Sequence, residues 1–308
     1  MNQSKETTVY SKILVGYDDS DQAKDALALG KQLADATGAE LVVAGVFQFD
    51  PVWGGADPRF RDADTDFTRK VWEAATATGA HAEAVPSSSP ARGLHDLAEE
   101  IEADLILVGS AHHGRFGRSL AGTTGVALLH GAPCAVGVAP RGYREHAVDG
   151  IRAVTTGVDG STEAGHALRA AIDLAARTGA KLKLISAAVP PPVGTGKGGA
   201  GGWHALLEAV EQETRERLAE ARATVPDDVD VEATMISGDP VHALASASSA
   251  PGTLMVLGSR GYGPFRRVLL GSVATSLVGS APCPLIVTPR GIREGADGEP
   301  ATTVESAS

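Results

Sequence analysis

Residues 254–291 read LMVLGSRGYGPFRRVLLGSVATSLVGSAPCPLIVTPRG, and residues 105–142 read LILVGSAHHGRFGRSLAGTTGVALLHGAPCAVGVAPRG; 16 of the 38 paired columns are identical. Each stretch opens with an apolar run that ends in glycine, continues through a glycine-rich loop into a segment with helical apolar spacing, and closes on Ala-Pro-Cys and a second apolar run. Short apolar runs separated by a helix are the mark of parallel strands buried on both faces. A strand, loop, helix, strand unit therefore occurs twice.

The repeat extends upstream. Residues 13–41 superpose on 154–182 with 12 of 29 columns identical, among them Asp18/Asp159, Ser20/Ser161 and the run Thr37-Gly38-Ala39/Thr178-Gly179-Ala180. The first pair of blocks is displaced by 149 and the second by 141, so the second copy has gained eight residues between them. Residues 190–202, rich in Pro and Gly and without apolar periodicity, are expected to be that insertion, as a flexible loop. In the first copy the patterns predict strands at 12–17, 40–47, 81–86, 104–109 and 134–138, and helices at 21–37, 67–78, 94–101 and 121–130. Alternating strands and helices imply right-handed crossovers. The expected fold is α/β, two tandem copies of a five-stranded doubly wound parallel sheet of order 3-2-1-4-5, spanning 11–142 and 151–291. Residues 143–150 read as a polar linker, and 292–308 as a disordered tail.

With 308 residues and 43% hydrophobic residues the chain can build two cores. Its formal charge of −11 argues against nucleic acid or a membrane surface as partner. No run reaches the roughly 18 apolar residues of a membrane span, and residues 1–10 do not resemble a signal peptide, so a cytoplasmic location is expected. Cys134 and Cys283 precede apolar runs and read as inert core thiols. The two fifth strands, 135–138 and 285–288, are apolar edges expected to pair the copies as a pseudo-dimer, with a homodimer left open.

Open parallel sheets bind ligands at the carboxyl ends of their strands, where the strand order reverses. Each copy places an acid after its first strand and a glycine loop after its fourth, the two strands that flank such a crevice. In the second copy Gly258, Ser259, Arg260 and Gly261 are followed, nine residues on, by Gly271, Ser272 and Val273 at a helix start. Backbone amides, a hydroxyl and a helix N-terminus together suit phosphate. Charge agrees: residues 240–293 and 105–144 contain no Asp or Glu, while Arg260, Arg266, Arg267 and Arg290 lie in the first block and Arg115, Arg118 and Arg141 in the second.

With these residues in place, the chain resembles the universal stress protein family in its tandem form. The family's pattern, Gly-x-x-Gly, nine residues, Gly-Ser/Thr, is met by Gly258, Gly261, Gly271 and Ser272. The resemblance implies a Rossmann-like adenine-nucleotide site: Asp159 at adenine, the strand end near Ala187 lining the base pocket, and the glycine loop holding ribose and phosphates. It implies ATP, with or without magnesium. In the first copy the corresponding residues are Asp18, Val46, Gly109, His112, Gly122, Thr123 and Thr124, with His112 where the second glycine belongs. An imidazole there either crowds the phosphates or donates to them.

Two other motifs carry less. Gly194-Thr195-Gly196-Lys197-Gly198-Gly199 mimics a dinucleotide fingerprint but follows three prolines and is not the first strand-helix turn. His112-His113 has no Cys or carboxylate nearby to complete a metal site. No nucleophile elbow or Ser-His-Asp arrangement is readable, so the expectation is a nucleotide-binding stress-response regulator without dedicated catalysis. An adenine-nucleotide hydrolase or slow ATPase is the alternative, although the Ser-Gly-Gly-x-Asp-Ser loop of such enzymes is incomplete at residues 16–20 and 157–161. A nucleotide-free interaction module is a further option for the first copy.

Overall fold

The computed structural model describes residues 9–48, 58–110, 122–146, 150–190, 199–259 and 270–289. The first copy runs through β1 (Lys12–Gly16), α1 (Asp21–Thr37), β2 (Glu40–Gln48), α2 (Pro58–Thr78), β3 (His81–Ser87), α3 (Pro90–Glu100), β4 (Leu105–Gly109), α4 (Thr123–Leu129) and β5 (Ala135–Ala139). After a helical turn α5 (Tyr143–His146), the second copy repeats the pattern. It consists of β6 (Ala153–Gly157), α6 (Thr162–Thr178), β7 (Lys181–Ala188), α7 (Gly199–Ala223), β8 (Val231–Ser237), α8 (Pro240–Ala247), β9 (Thr253–Gly258), α9 (Ser272–Val278) and β10 (Leu285–Thr288).

The strands form one ten-stranded sheet, β3-β2-β1-β4-β5-β10-β9-β6-β7-β8. Within each copy every pair is parallel and the order is 3-2-1-4-5. The copies meet where β5 and β10 pair antiparallel, with Leu285 opposite Val138, Ile286 opposite Gly137 and Val287 opposite Val136. Those apolar edges are buried by each other, and the free edges fall to β3 and β8, whose side chains are partly exposed. Two apolar layers flank the sheet, and each draws residues from both copies: Leu33, Leu107, Leu174 and Val256 meet in one, Leu129, Val136, Leu277 and Leu285 in the other. The copies therefore share their cores.

Local chemistry sets the element ends. The extended Ser20 and Ser161 cap α1 and α6, their hydroxyls accepting from the amides of Ala23 at 3.2 Å and Ala164 at 3.1 Å. Gly38 and Gly179 close these helices in the left-handed conformation, with φ of 72° and 66°.

Three expectations change. Residues 143–146 are a docked turn: the buried Asp25 accepts from the amides of Gly142 at 2.7 Å and Arg144 at 3.0 Å, and the Arg144 guanidinium pairs with Asp21 at 2.7 Å. Of the proposed insertion, residues 199–202 open α7, whereas 191–198 lie outside the described residues. Tyr10 belongs to the core as well, and the Val9 amide donates to Asp173 of the second copy, so the fold begins before residue 11. The tail at 292–308 also lies outside the described residues.

Among the described residues no helix is long and apolar enough to cross a membrane, and no cluster of His, Cys, Asp and Glu could hold a metal ion. Cys134 and Cys283 are buried thiols just before β5 and β10, and burial pushes both up to a pKa of about 12.

Candidate functional site

A cleft of about 930 Å³ opens at the carboxyl ends of β6, β7 and β9. Its position is the reversal point of the strand order, since the chain leaves β6 towards β7 and returns to β9 on the other side. The volume is that of a small-molecule site.

On the β7 side the floor is formed by Val158 and Asp159 after β6 and by Ile185, Ser186 and Ala187 of β7, with Val189 beyond. Two bonds fix this floor: the Val158 amide donates to the Ile185 carbonyl at 2.8 Å, and the buried Ser186 hydroxyl donates to the Val158 carbonyl at 2.6 Å. One oxygen of Asp159 accepts from the amide of Ser161 at 2.9 Å and from its hydroxyl at 2.6 Å, closing a tight turn through Gly160, which takes φ of 79°. Asp159 thus orients the cap of α6 and holds its carboxylate at the cleft.

On the β9 side stand Gly258 and Ser259, then Gly271, Ser272 and Val273 at the start of α9. Gly271 caps α9 in extended conformation with no side-chain hydrogen bond, so among the described residues the cap itself supplies no acceptor to the first-turn amides. The Ser259 hydroxyl is buried and finds no partner among the described residues, a costly arrangement unless something else fills the role. Seven expected residues of the second copy (Asp159, Ala187, Gly258, Ser259, Gly271, Ser272 and Val273) therefore line one cleft. Arg260 and Gly261 lie outside the described residues.

Gly258 has a role that the sequence reading did not assign. A Cβ on Gly258 would lie 2.4 Å from the carbonyl oxygen of Glu163, so the first turn of α6 packs where a side chain would go. Gly109 is the same in the first copy, its missing Cβ 2.2 Å from the Gln22 carbonyl oxygen of α1. The first glycine of each loop brings helix and strand together. The sequence reading also missed Arg217 of α7 and Pro240 and Leu244 of α8, which line the cleft. The eight-residue offset breaks the alignment of the copies over α7, and no motif flagged these positions.

The first copy places Asp18 in the same turn, its carboxylate accepting from the Ser20 amide at 3.1 Å. The next residue, Asp19, is left-handed with φ of 63° and pairs with both Lys24 and Lys70 at 3.0 Å. Hydrogen bonds from these two lysines hold the Asp19 carboxyl down at about 2. Tyr17 beside it is pushed up to about 12, by burial first and then by Asp19. Val46, two residues before the end of β2, is partly buried against Gly93 of α3. Gly109 ends β4, and Gly122 caps α4 just ahead of Thr123 and Thr124, again without a side-chain bond. His112 lies outside the described residues.

Comparison with known proteins agrees with this architecture. The universal stress protein family model matches residues 10–140 and 150–289. A universal stress protein of Mycobacterium tuberculosis is 32% identical over 211 residues, covering 65% of this chain and 69% of that protein. One from Mycolicibacterium smegmatis is also 32% identical over 211 residues, covering 67% and 68%. Among solved structures, a universal stress protein from Archaeoglobus fulgidus superposes with a TM-score of 0.62 over 92% of this chain and 99% of its own, at 21% identity, a likeness of fold.

Proposed function

The chain belongs to the universal stress protein family, and from that premise we propose that its second copy binds an adenine nucleotide, ATP, in the cleft between β6 and β9, and that the bound nucleotide regulates a stress response in the cytoplasm. The observation that carries the reading is the convergence of Asp159, Ala187, Gly258, Ser259, Gly271, Ser272 and Val273 on one cleft of ligand size. The parts suit the parts of a nucleotide. Asp159 and the end of β7 would receive the base, the Ser259 hydroxyl would gain a partner, and the uncapped amides of α9 with Ser272 would take phosphate oxygens. A magnesium ion, if carried, would be bound chiefly by phosphates and water.

A regulatory rather than catalytic role is supported by the acids at the cleft. Asp159 and Glu163 are its carboxylates among the described lining residues, and Asp159 is already committed to the cap of α6. A hydrolase would need a base aligned on an attacking water. Mass spectrometry of the ligand released by acid from purified protein, with its stoichiometry per chain, tests the proposal. ATP that remains intact through long incubation is the expected result; protein that is empty and also fails to bind added adenine nucleotide would overturn it.

A further inference from the structure

We propose that Arg217 is a ligand contact specific to the second copy, covering the β7 end of the cleft and stacking its guanidinium on the purine ring of the bound nucleotide. The inference rests on the nucleotide reading above and adds a residue to it.

Arg217 projects from α7 over the turn that follows β6. Its Cδ lies 3.1 Å and its Nε 3.4 Å from the point where a Cβ on Gly160 would sit. The stem of the arginine thus lies flat on the glycine next to Asp159. The strand order fixes which end of the cleft this is. Helix α7 packs on β7 and β8, whereas Gly258, Ser259 and the start of α9 stand on the β9 side, with β6 between. Arg217 therefore enters from the side of Asp159 and Ala187, away from Gly271 and Ser272.

The first copy shows what has been changed. There the cation one residue before a buried side chain of the second helix is Lys70, followed by Val71, just as Arg217 is followed by Leu218. Lys70 is held at 3.0 Å by Asp19, the left-handed residue of that turn, and Lys24 holds the same carboxylate. In the second copy the acid is replaced by Gly160 and Lys24 by Gly165, so this latch is gone. Arg217 pairs instead with Glu213 one turn back on its own helix, both side chains substantially exposed, and such a pair constrains little. A point charge locked to an acid has been exchanged for a planar, weakly hydrated cation that faces the cleft. Planar guanidinium is the group that stacks on aromatic faces.

Calorimetric affinities for ATP, AMP and adenosine, measured on wild type, Arg217→Ala and Glu213→Gln, test this. Stacking on the base predicts that Arg217→Ala weakens all three ligands alike, by about two- to fivefold, and that Glu213→Gln, which removes the same surface pair, leaves all three unchanged. Unchanged affinities in Arg217→Ala would overturn the proposal. So would a loss that grows with the number of phosphates, which would place the cation on the phosphates, or an equal loss in Glu213→Gln, which would make the effect one of helix structure. A wild type that binds none of the three overturns the nucleotide reading and this inference with it, whereas binding unaffected by Arg217→Ala overturns this inference alone.

Discussion

Replacing Gly258 by Ala separates two reasons for the glycine. If it is needed only so that phosphate can approach the backbone, the substitution leaves the apo fold alone. The geometry predicts otherwise. The new Cβ would sit 2.4 Å from the oxygen and 2.6 Å from the carbon of the Glu163 carbonyl, where ordinary contacts begin near 3.4 Å. Strand and helix must therefore part by about 1 Å, and neither partner is a side chain that can rotate away. Helix α6 is held by its Ser161 cap and by Ala167, Ala170, Ala171 and Leu174, all buried against the sheet. Forced overpacking of this kind costs about 1–3 kcal/mol. Urea unfolding should show that loss through a lower midpoint at unchanged slope. Gly109→Ala, at 2.2 Å from the Gln22 oxygen, should cost at least as much. Gly165→Ala is the control: a Cβ there meets nothing within 4 Å, and the change should stabilise α6 by up to about 1 kcal/mol. A Gly258→Ala protein with wild-type stability and lost nucleotide binding would refute the packing role.

Further outcomes are expected. Asp159→Ala should weaken ATP more than GTP, by about 1–3 kcal/mol, and should also lower the melting temperature because the Ser161 cap loses its support; equal losses for the two nucleotides would place Asp159 away from the base. Gly261→Asp should abolish ATP binding in calorimetry without changing the melt, by setting a negative charge in the loop, and retained affinity would remove that loop from the site. If His112 crowds the phosphates, wild type binds one ATP per chain and His112→Gly raises the count towards two; if it donates to them, wild type binds two and the variant weakens the first-copy site. A count fixed at one in both proteins defeats both versions. Cys134 and Cys283, with pKa values pushed up to about 12, should resist alkylation at pH 8 in the native protein and react fully in denaturant; rapid native labelling would contradict their burial.

Much of the fold could be read because the chain states it twice. Helix α1 falls where it was expected, at Asp21–Thr37, since Ser20 and Gly38 mark its ends in local chemistry. Helix α2 starts at Pro58, nine residues before the predicted start at 67, because residues 58–66 are mostly charged or polar and show no apolar period. The docking of residues 143–146 was hidden for another reason: its acceptor, Asp25, lies 117 residues away from Gly142 and looks in the sequence like any polar residue on an exposed helix face. Arg217 was hidden by the loss of register between the copies over α7. Periodicity and caps are local signals, and a buried carboxylate answering a distant amide is not.

The antiparallel join between β5 and β10 bears on how the two sites relate. All strands of the first copy run with β5 and all those of the second with β10, so the carboxyl ends of the two halves point to opposite edges of the sheet. Ligand crevices built on those ends open at opposite edges, and the copies are joined between them by the β5–β10 pairing and by the apolar layers they share. Separation of this kind leaves each turn after the first strand free to change alone. Asp19 with its two lysines ties α1 and α2 together across the first copy, while Gly160, Gly165 and Ser186 stand in the second where Asp19, Lys24 and Gly45 stand in the first. The difference is one of charge and bulk at the turn that follows the first strand of each copy. On this geometry the first copy spends its acid on joining its helices, whereas in the second the stem of Arg217 lies over the glycine that stands in place of that acid.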